Sequence, residues 1–267
     1  MSFTRAILYP YSLGSKSAKL LAATLKTKCV RVNGTYVPRA SHLIVNWGNS
    51  RVPSWITPAV LRGQILNKPQ YVTIASHKIK TFEQLELSLK EALPDWTTNV
   101  VTATGWLKSP KYAGLLSAVV VRKLTQANSG RGIELITKVD EITKAPLYTR
   151  YKPKQSEFRI HVSSKFGIID SQQKKKRNDV EADKFNSYIR SHDNGWVFCR
   201  EGIEVPQVVL DTAQSAIAAL HLDFGAVDIG YHDKYGVTLY EVNTAPGIEG
   251  QTLSNYVALF QKHLDDN

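Results

Sequence analysis

Cysteine is scarce in this chain of 267 residues, with only Cys29 and Cys199. Two cysteines far apart build no disulfide framework and lack the spacing of a metal site. A reducing, cytoplasmic setting is therefore expected. Long apolar runs are missing as well. No stretch reaches the length that crosses a bilayer, and Met1-Ser2-Phe3-Thr4-Arg5 lacks the apolar core of a secretion signal, so no membrane partner is expected. There is no internal repeat. No GxGxxG follows the first apolar strand, which argues against a dinucleotide-binding Rossmann site, and no Gly-Lys-Ser/Thr opens a helix as in a Walker A loop. Acidic charge is the last shortage: 23 Asp and Glu face 34 Lys and Arg, for a net charge of +11 and a pI near 9.5. That balance draws polyanions such as nucleic acid, nucleotides or acidic peptides. Residues 150–200 hold twelve Lys and Arg against six Asp and Glu, so +6 of the charge sits there. A solubilising surface would have the same composition.

Hydrophobic residues make up 43% of the chain, enough for two or three small domains with proper cores. Ala6 to Tyr9 reads as a strand. Ser15 caps a helix with Ala18, Leu21, Ala22 and Leu25 on one face, and Val30 to Val32 and Leu43 to Val45 read as further strands. This alternation predicts a small α/β unit with a mainly parallel sheet. The turn beginning at Asn46 lies at a strand's carboxyl end, where such sheets bind ligands, and is a candidate substrate lip or a plain loop. Pro58 to Asn67 reads as a helix, Tyr71 to Ala75 as a strand, Thr81 as the cap of the next helix, and Val100 to Ala103 as a strand.

The most informative stretch lies near the end. Phe224 to Gly230 and Gly236 to Asn243 are β-branched, apolar runs flanking a polar break, which is a hairpin signal, and Pro246-Gly247 follows. Glu241 and Asn243 are two apart on one strand and leave by the same face. A four-residue loop from His232 to Tyr235 sets Asp228 opposite Leu239, on that face too. Val227, Ile229, Tyr240 and Val242 are then expected in a core. Converging carboxylates repel unless a cation lies between them, and Mg²⁺ takes oxygen ligands alongside phosphate and water. A solvated polar face is one alternative. A carboxylate pair for glycoside hydrolysis is another, though it leaves Asn243 and the Pro246-Gly247 turn unexplained.

A phosphate partner would settle the choice. Val119 to Ile136 runs from a β-branched strand through Lys123 into the polar loop Ser129-Gly130-Arg131-Gly132 and a second strand. Small residues let backbone N–H groups approach phosphate oxygens, although ordinary hairpins look alike. Lys78 precedes a helix. Leu147-Tyr148-Thr149-Arg150-Tyr151 is extended. Glu157, Arg159 and His161 share the polar face of an alternating strand, Gly167 to Asp170 returns beside it, and the basic cluster Lys174-Lys175-Lys176-Arg177 follows. Helices with apolar stripes begin at Pro206 and near Leu253.

Taken in order, these pieces resemble the ATP-grasp superfamily of carboxylate–amine ligases, and within it the RimK-like glutamate ligases. Ser76-His77-Lys78 looks like the first ATP lysine, Lys123 with Gly130 and Gly132 like the second lysine and glycine-rich loop, Glu157-Phe158-Arg159 like the acidic-x-Arg strand, and Asp228 with Glu241-Val242-Asn243 like the metal ligands. The resemblance covers roughly residues 70 to 255. It implies an α/β fold with an N-terminal α/β domain (1–70), a central lid carrying the glycine-rich loop (71–147) and a C-terminal mixed-sheet domain (148–267).

The implied cofactors are ATP and one or two Mg²⁺ ions, or Mn²⁺, on Asp228, Glu241 and Asn243. Nucleotide contacts fall to Lys78, Lys123, Ser129, Gly130, Arg131, Gly132, the hinge Tyr148, Thr149, Arg150 and Tyr151, and Glu157. Arg159 and Lys123 would act on the transferred phosphoryl group. The hinge lacks the acidic residue often found there, and 171–200 matches the glutamate ligases poorly. Acceptor recognition is expected from Lys174, Lys176, Arg177, Asn46, Pro246 and Gly247, with an anionic or carboxylate-bearing peptide or protein as acceptor. A phosphotransferase on a small acceptor, and a basic nucleic-acid-binding protein with a vestigial ATP site, are the rival functions.

Overall fold

A computed structural model describes residues 3–109, 111, 117–125, 132–181 and 185–266. Three sheets carry the architecture. The first contains β1 (Arg5–Pro10), β2 (His42–Trp47) and β3 (Ile65–Leu66), all parallel, with α1 (Lys16–Thr24) and α2 (Ile56–Leu61) in the connections. The expected parallel sheet and the Ser15 cap are both present, the Ser15 hydroxyl accepting from Ala18 N–H. Val30 to Val32 forms no strand; only Cys29 makes a bridge to Leu8. The helix expected over Pro58 to Asn67 ends at Leu61, because Gly63 takes a left-handed φ of 67° before β3.

Two expected strands are helices. Tyr71 to Ala75 lies in α3 (Pro69–Ala75), where Pro69 presets the first turn and Val72 and Ala75 share the buried face. Val100 to Ala103 lies in α5 (Val100–Lys108). There the Asn99 side chain accepts from Val101 and Thr102 N–H, and this cap outweighs the strand preference of a β-branched run. Between them, α4 (Lys78–Leu89) starts at Lys78, and Thr81 sits inside it, bonding back to Ile74 and Ala75 carbonyls.

The second sheet, ordered β4-β7-β5-β6, comprises β4 (Trp96–Thr97), β5 (Val119–Arg122), β6 (Ile133–Ile136) and β7 (Leu147–Arg150). The third, ordered β10-β9-β8-β11-β12, is antiparallel throughout. It comprises β8 (Ser156–Ser163), β9 (Gly167–Lys176), β10 (Trp196–Cys199), β11 (Phe224–His232) and β12 (Gly236–Asn243). One face of this sheet is covered by α6 (Gln207–Ala219), and α3 and α4 pack into the same core through Ala75, Phe82 and Leu85. The closing helix α7 (Gly250–Asp265) instead joins the first sheet, where Trp47, Phe224, Tyr256 and Phe260 form an aromatic cluster. On the opposite face of the third sheet α7 covers His161 through Tyr256, and the rest lines a cleft.

The β11–β12 hairpin differs from its sequence reading in two ways. His232, not Tyr231, pairs with Gly236, so the loop has three residues instead of four. That shift alone would set Asp228 opposite Tyr240 and turn Glu241 to the other face. A bulge intervenes: Ile229 pairs with Leu239, but Asp228 pairs with Glu241. Leu239 and Val242 therefore both enter the core, while Tyr240 and Glu241 both turn to the cleft. Tyr240 is thus not a core residue. It lies across Gly230, where a Cβ would overlap its ring and hydroxyl.

Candidate active site

A cleft of about 1180 Å³ opens between the third sheet, the second sheet and the loops of the first. Its floor can be built strand by strand. Side chains alternate along β8, so Glu157, Arg159 and His161 share the face away from α6, while Phe158, Ile160 and Val162 enter the core. The pairing register then sets neighbours across the sheet. Asp228 of β11 lies opposite Arg159 of β8 and Glu241 of β12, and Gln172 of β9 lies opposite Arg159. One row thus reads Glu241, Asp228, Arg159, Gln172, with carboxylates at one edge.

The carboxylates are already paired with cations. Arg159 donates Nε to Asp228 Oδ1 and Nη2 to Oδ2, both at 2.7 Å. Burial opposes the ionised Asp228, but the Arg159 guanidinium holds its carboxyl below the usual range. The same guanidinium stacks 4.4 Å over the Phe198 ring. Lys78, buried at the start of α4, places Nζ 3.3 Å from Glu241. Asn243 carries a buried Nδ2 with no hydrogen-bond partner among the described residues. An amide flip would present its oxygen instead.

Asp228, Glu241 and Asn243 thus form an oxygen-only set on two adjacent strands, with an unused amide beside two facing carboxylates. These residues fit a hard divalent cation. Among the described residues no three His, Cys, Asp or Glu side chains cluster to cage a metal. A set of two carboxylates and an amide suits an ion that draws its remaining ligands from phosphate and water.

The glycine-rich stretch is only partly described: Ser129, Gly130 and Arg131 lie outside the described residues. Gly132 has a left-handed φ of 71°, and its carbonyl accepts from Lys123 N–H. Lys123 itself is not brought to the cleft. Its half-exposed ammonium pairs with Glu134 at 2.5 Å. Arg122 lines the cleft instead, buried, with its Nε unpartnered and Glu241 and Tyr240 as its charged and titratable neighbours. The signal was present in the strand alternation. Val119 and Val121 fill the core of the second sheet, so Val120 and Arg122 must face the other way.

The hinge divides likewise. Thr149, Arg150 and Tyr151 line the cleft. The Tyr148 side chain is buried on the far side, accepting from Ala145 N–H at 2.6 Å and donating to the Thr143 carbonyl at 2.8 Å. Glu157 lies in the floor between the ammonium groups of Lys154 at 2.6 Å and Lys174 at 2.5 Å. Burial would raise its pKa, but the two lysines hold it below the usual range.

The basic cluster lies at the end of a strand. Lys174, Lys175 and Lys176 belong to β9 and pair with β10. Each basic group also has a partner within the chain. Lys174 bonds Glu157, Lys175 bonds the Glu201 and Gly202 carbonyls, Lys176 lies over Phe185, and Arg177 pairs with Asp179. Of the residues expected to recognise the acceptor, Lys174, Pro246 and Gly247 line the cleft. Asn46 does not. It is fully buried and ties its own turn, donating to the Asn49 and Asn67 carbonyls. Gly48 and Ser50 from that turn reach the cleft instead, and Gly48, at a left-handed φ of 76°, packs directly on Ala245.

No family model matches this chain, and no curated protein matches it in sequence. Solved structures do match in fold. A D-alanine–D-alanine ligase from Bacillus anthracis superposes with a TM-score of 0.63 at 14% identity, covering 97% of this chain and 93% of its own. The ATP-grasp ligase PsnB, in complex with its minimal precursor, gives 0.66 at 10% identity over 97% and 99% of the two chains. A RimK-domain ATP-grasp protein from Sphaerobacter thermophilus gives 0.59 at 14% identity over 98% of each. Over nearly its whole length, this chain adopts the ATP-grasp fold.

Proposed function

We propose that this chain is an ATP-dependent carboxylate–amine ligase working through an acylphosphate, with a peptide, protein or other macromolecule as acceptor. The observation that carries the reading is the charge row of the cleft. The Asp228, Glu241 and Asn243 oxygen set lies directly beside Arg159, Lys78 and Arg122, in a fold whose solved examples include ligases. The three-part division at about residues 70 and 147 goes with this reading. α3 and α4 are then the link that also packs under the third sheet.

A carboxylate is a poor acylating agent because oxide leaves badly. Attack of a carboxylate oxygen on the γ-phosphorus forms one P–O bond and breaks the bond to the β-phosphate oxygen, releasing ADP. The amine then adds to the acyl carbon, phosphate leaves with the bonding pair, and the amine proton passes to solvent or phosphate. Such transfer depends on positioning and charge. Mg²⁺ held by Asp228, Glu241 and Asn243 would supply positive charge to the phosphate oxygens. Arg159 would release Asp228 and turn to the transferred group. Lys78 and Arg122 would hold phosphates, the hinge backbone at Tyr148 to Tyr151 the base, and Glu157 the sugar. The loop from Ser129 to Gly132 would cover the phosphates and exclude water, which otherwise hydrolyses an acylphosphate.

Incubation with ATP, Mg²⁺ and pools of acids and amines, read by ADP release and product mass, tests the reading. A condensed product one water lighter than acid plus amine is expected. A phosphorylated acceptor would favour the phosphotransferase, and no ADP release from any pool would leave a vestigial site.

The phosphate-binding cation on β5 is separately testable. The loop-and-lysine resemblance names Lys123, whereas the strand alternation favours Arg122. Charge-assisted contacts of this kind contribute about 1.5–3 kcal/mol. Arg122→Met should therefore weaken ATP binding about tenfold or more, and Lys123→Met should change it little. A titration with the two effects reversed would return the role to Lys123.

A further inference from the structure

Beyond Arg159 the charge row continues to a second guanidinium that neither nucleotide nor metal requires. Arg200 follows the last residue of β10 and lines the cleft. Asp170 on β9 receives its Nε at 3.1 Å and its Nη2 at 3.0 Å, and Thr252, in the first turn of α7, accepts from Nη2 as well. Asp170 is itself saturated, taking Thr252 Oγ1 at 2.6 Å, Gln172 Nε2 at 3.1 Å and its neighbour Ser171 N–H at 3.0 Å. Burial would raise the Asp170 carboxyl, but these donors hold it below its ordinary range. Three elements thus converge to fix one arginine.

Among the described residues, nothing bonds Arg200 Nη1, and the side chain keeps 35% of its exposure. Residues locked by partners on one side and open to a cleft on the other are the means by which proteins hold ligands in a fixed orientation. Arg159 is on β8 and Arg200 directly follows β10, with only β9 between these strands, so their backbones lie about 10 Å apart across the sheet. Gln172, uncharged, lies between them. Phe198, under Arg159, supplies an apolar wall. Lys16 and Glu249 also line the cleft, one charge of each sign.

We propose that Arg200 is the anchor for a second carboxylate of the acid substrate, so that the acid is a dicarboxylate or an acidic side chain bearing a nearby carboxylate. One carboxylate lies against Arg159, where phosphoryl transfer takes place, and the other accepts from the open Nη1 of Arg200. The aliphatic spacer crosses Gln172 beside Phe198. This rests on the ligase reading for the identity of the reacting end. The placement of the two arginines on either side of β9 is a property of the floor.

The test is calorimetric titration with glutarate and with butyrate at matched ionic strength, each with and without Mg–ADP. Wild-type protein should bind glutarate at least about tenfold more tightly than butyrate, since one further charge-assisted pair is formed. Arg200→Gln should abolish the preference and leave butyrate and Mg–ADP affinities unchanged. Arg200→Lys should restore only part of it, because an ammonium cannot bond Asp170 and Thr252 with a planar edge and still present a fixed donor to the cleft. Asp170→Asn, which frees Arg200 to swing, should weaken glutarate severalfold; a thermal melt confirms that this variant folds. Equal affinities for the two acids, or equal loss of both in Arg200→Gln, would overturn the two-anchor site. Failure of the wild type to bind Mg–ADP would overturn the ligase reading instead, with the glutarate preference then judged from the titration without nucleotide.

Discussion

Glu241→Gln should reduce ATP-dependent ADP release by at least about a hundredfold, because a metal contributes several kcal/mol of charge stabilisation and each 1.4 kcal/mol is tenfold in rate. The substitution keeps size and hydrogen-bonding capacity and removes only the charge. The wild-type side chain is paired with Lys78 at 3.3 Å at the edge of the cleft, about a quarter exposed, and does not enter the core. Thermal stability should therefore move little. The diagnostic readout is nucleotide affinity against Mg²⁺ concentration. Wild-type affinity should rise with Mg²⁺, and that dependence should flatten in the variant. Near-normal ADP release from Glu241→Gln would remove this residue from the metal set, and with it the main support for the site.

Arg159→Gln should be the most damaging single change in the floor. It removes both hydrogen bonds to Asp228, which is buried on β11 between β8 and the edge strand β12. An ionised carboxylate left alone in that position costs about 3–5 kcal/mol, a large share of a typical domain's stability. The paired change Arg159→Gln with Asp228→Asn should recover most of that loss, because neither remaining group carries a buried charge. Activity should stay absent in both variants, since the first lacks the cation for the transferred group and the second lacks a metal ligand as well. Urea denaturation distinguishes the two contributions. If Arg159→Gln unfolds at the wild-type midpoint, the pair does not support the fold. If the double variant regains turnover, Arg159 has no part in the chemistry.

Several features of this protein were written locally. The β8 alternation that brings Glu157, Arg159 and His161 to one face needs only a period of two. The Ser15 cap, the Pro206 helix start and the stripe of α7 are set by side chains within one turn. The order of lysine, glycine loop, acidic-x-Arg strand and Asp–Glu–Asn hairpin was enough to point to the fold that the solved structures share.

Other features depended on partners distant in the chain. Short apolar runs such as 71–75 and 100–103 suit helix and strand alike. Capping by Asn99 and packing of α3 under the third sheet made them helical. Arg122 took the inward position from Lys123 because Val119 and Val121 had a core to fill. Residues 174–176 became a paired strand because β10 offered its edge and Glu157 a counter-charge.

The hairpin shows the division most sharply. Sequence spacing placed Asp228, Glu241 and Asn243 on one face, and they are on one face. Yet the loop is tighter than the spacing assumed, and alternation alone would have turned Glu241 away. The bulge at Tyr240 reverses that loss, and it forms because Leu239 and Val242 both gain burial against α6 while Tyr240 finds room over Gly230. The residue types that hold charge in this cleft were therefore determined by the sequence alone. Which of them face one another was decided by the burial of their apolar neighbours, since a one-residue slip of register exchanges core and cleft.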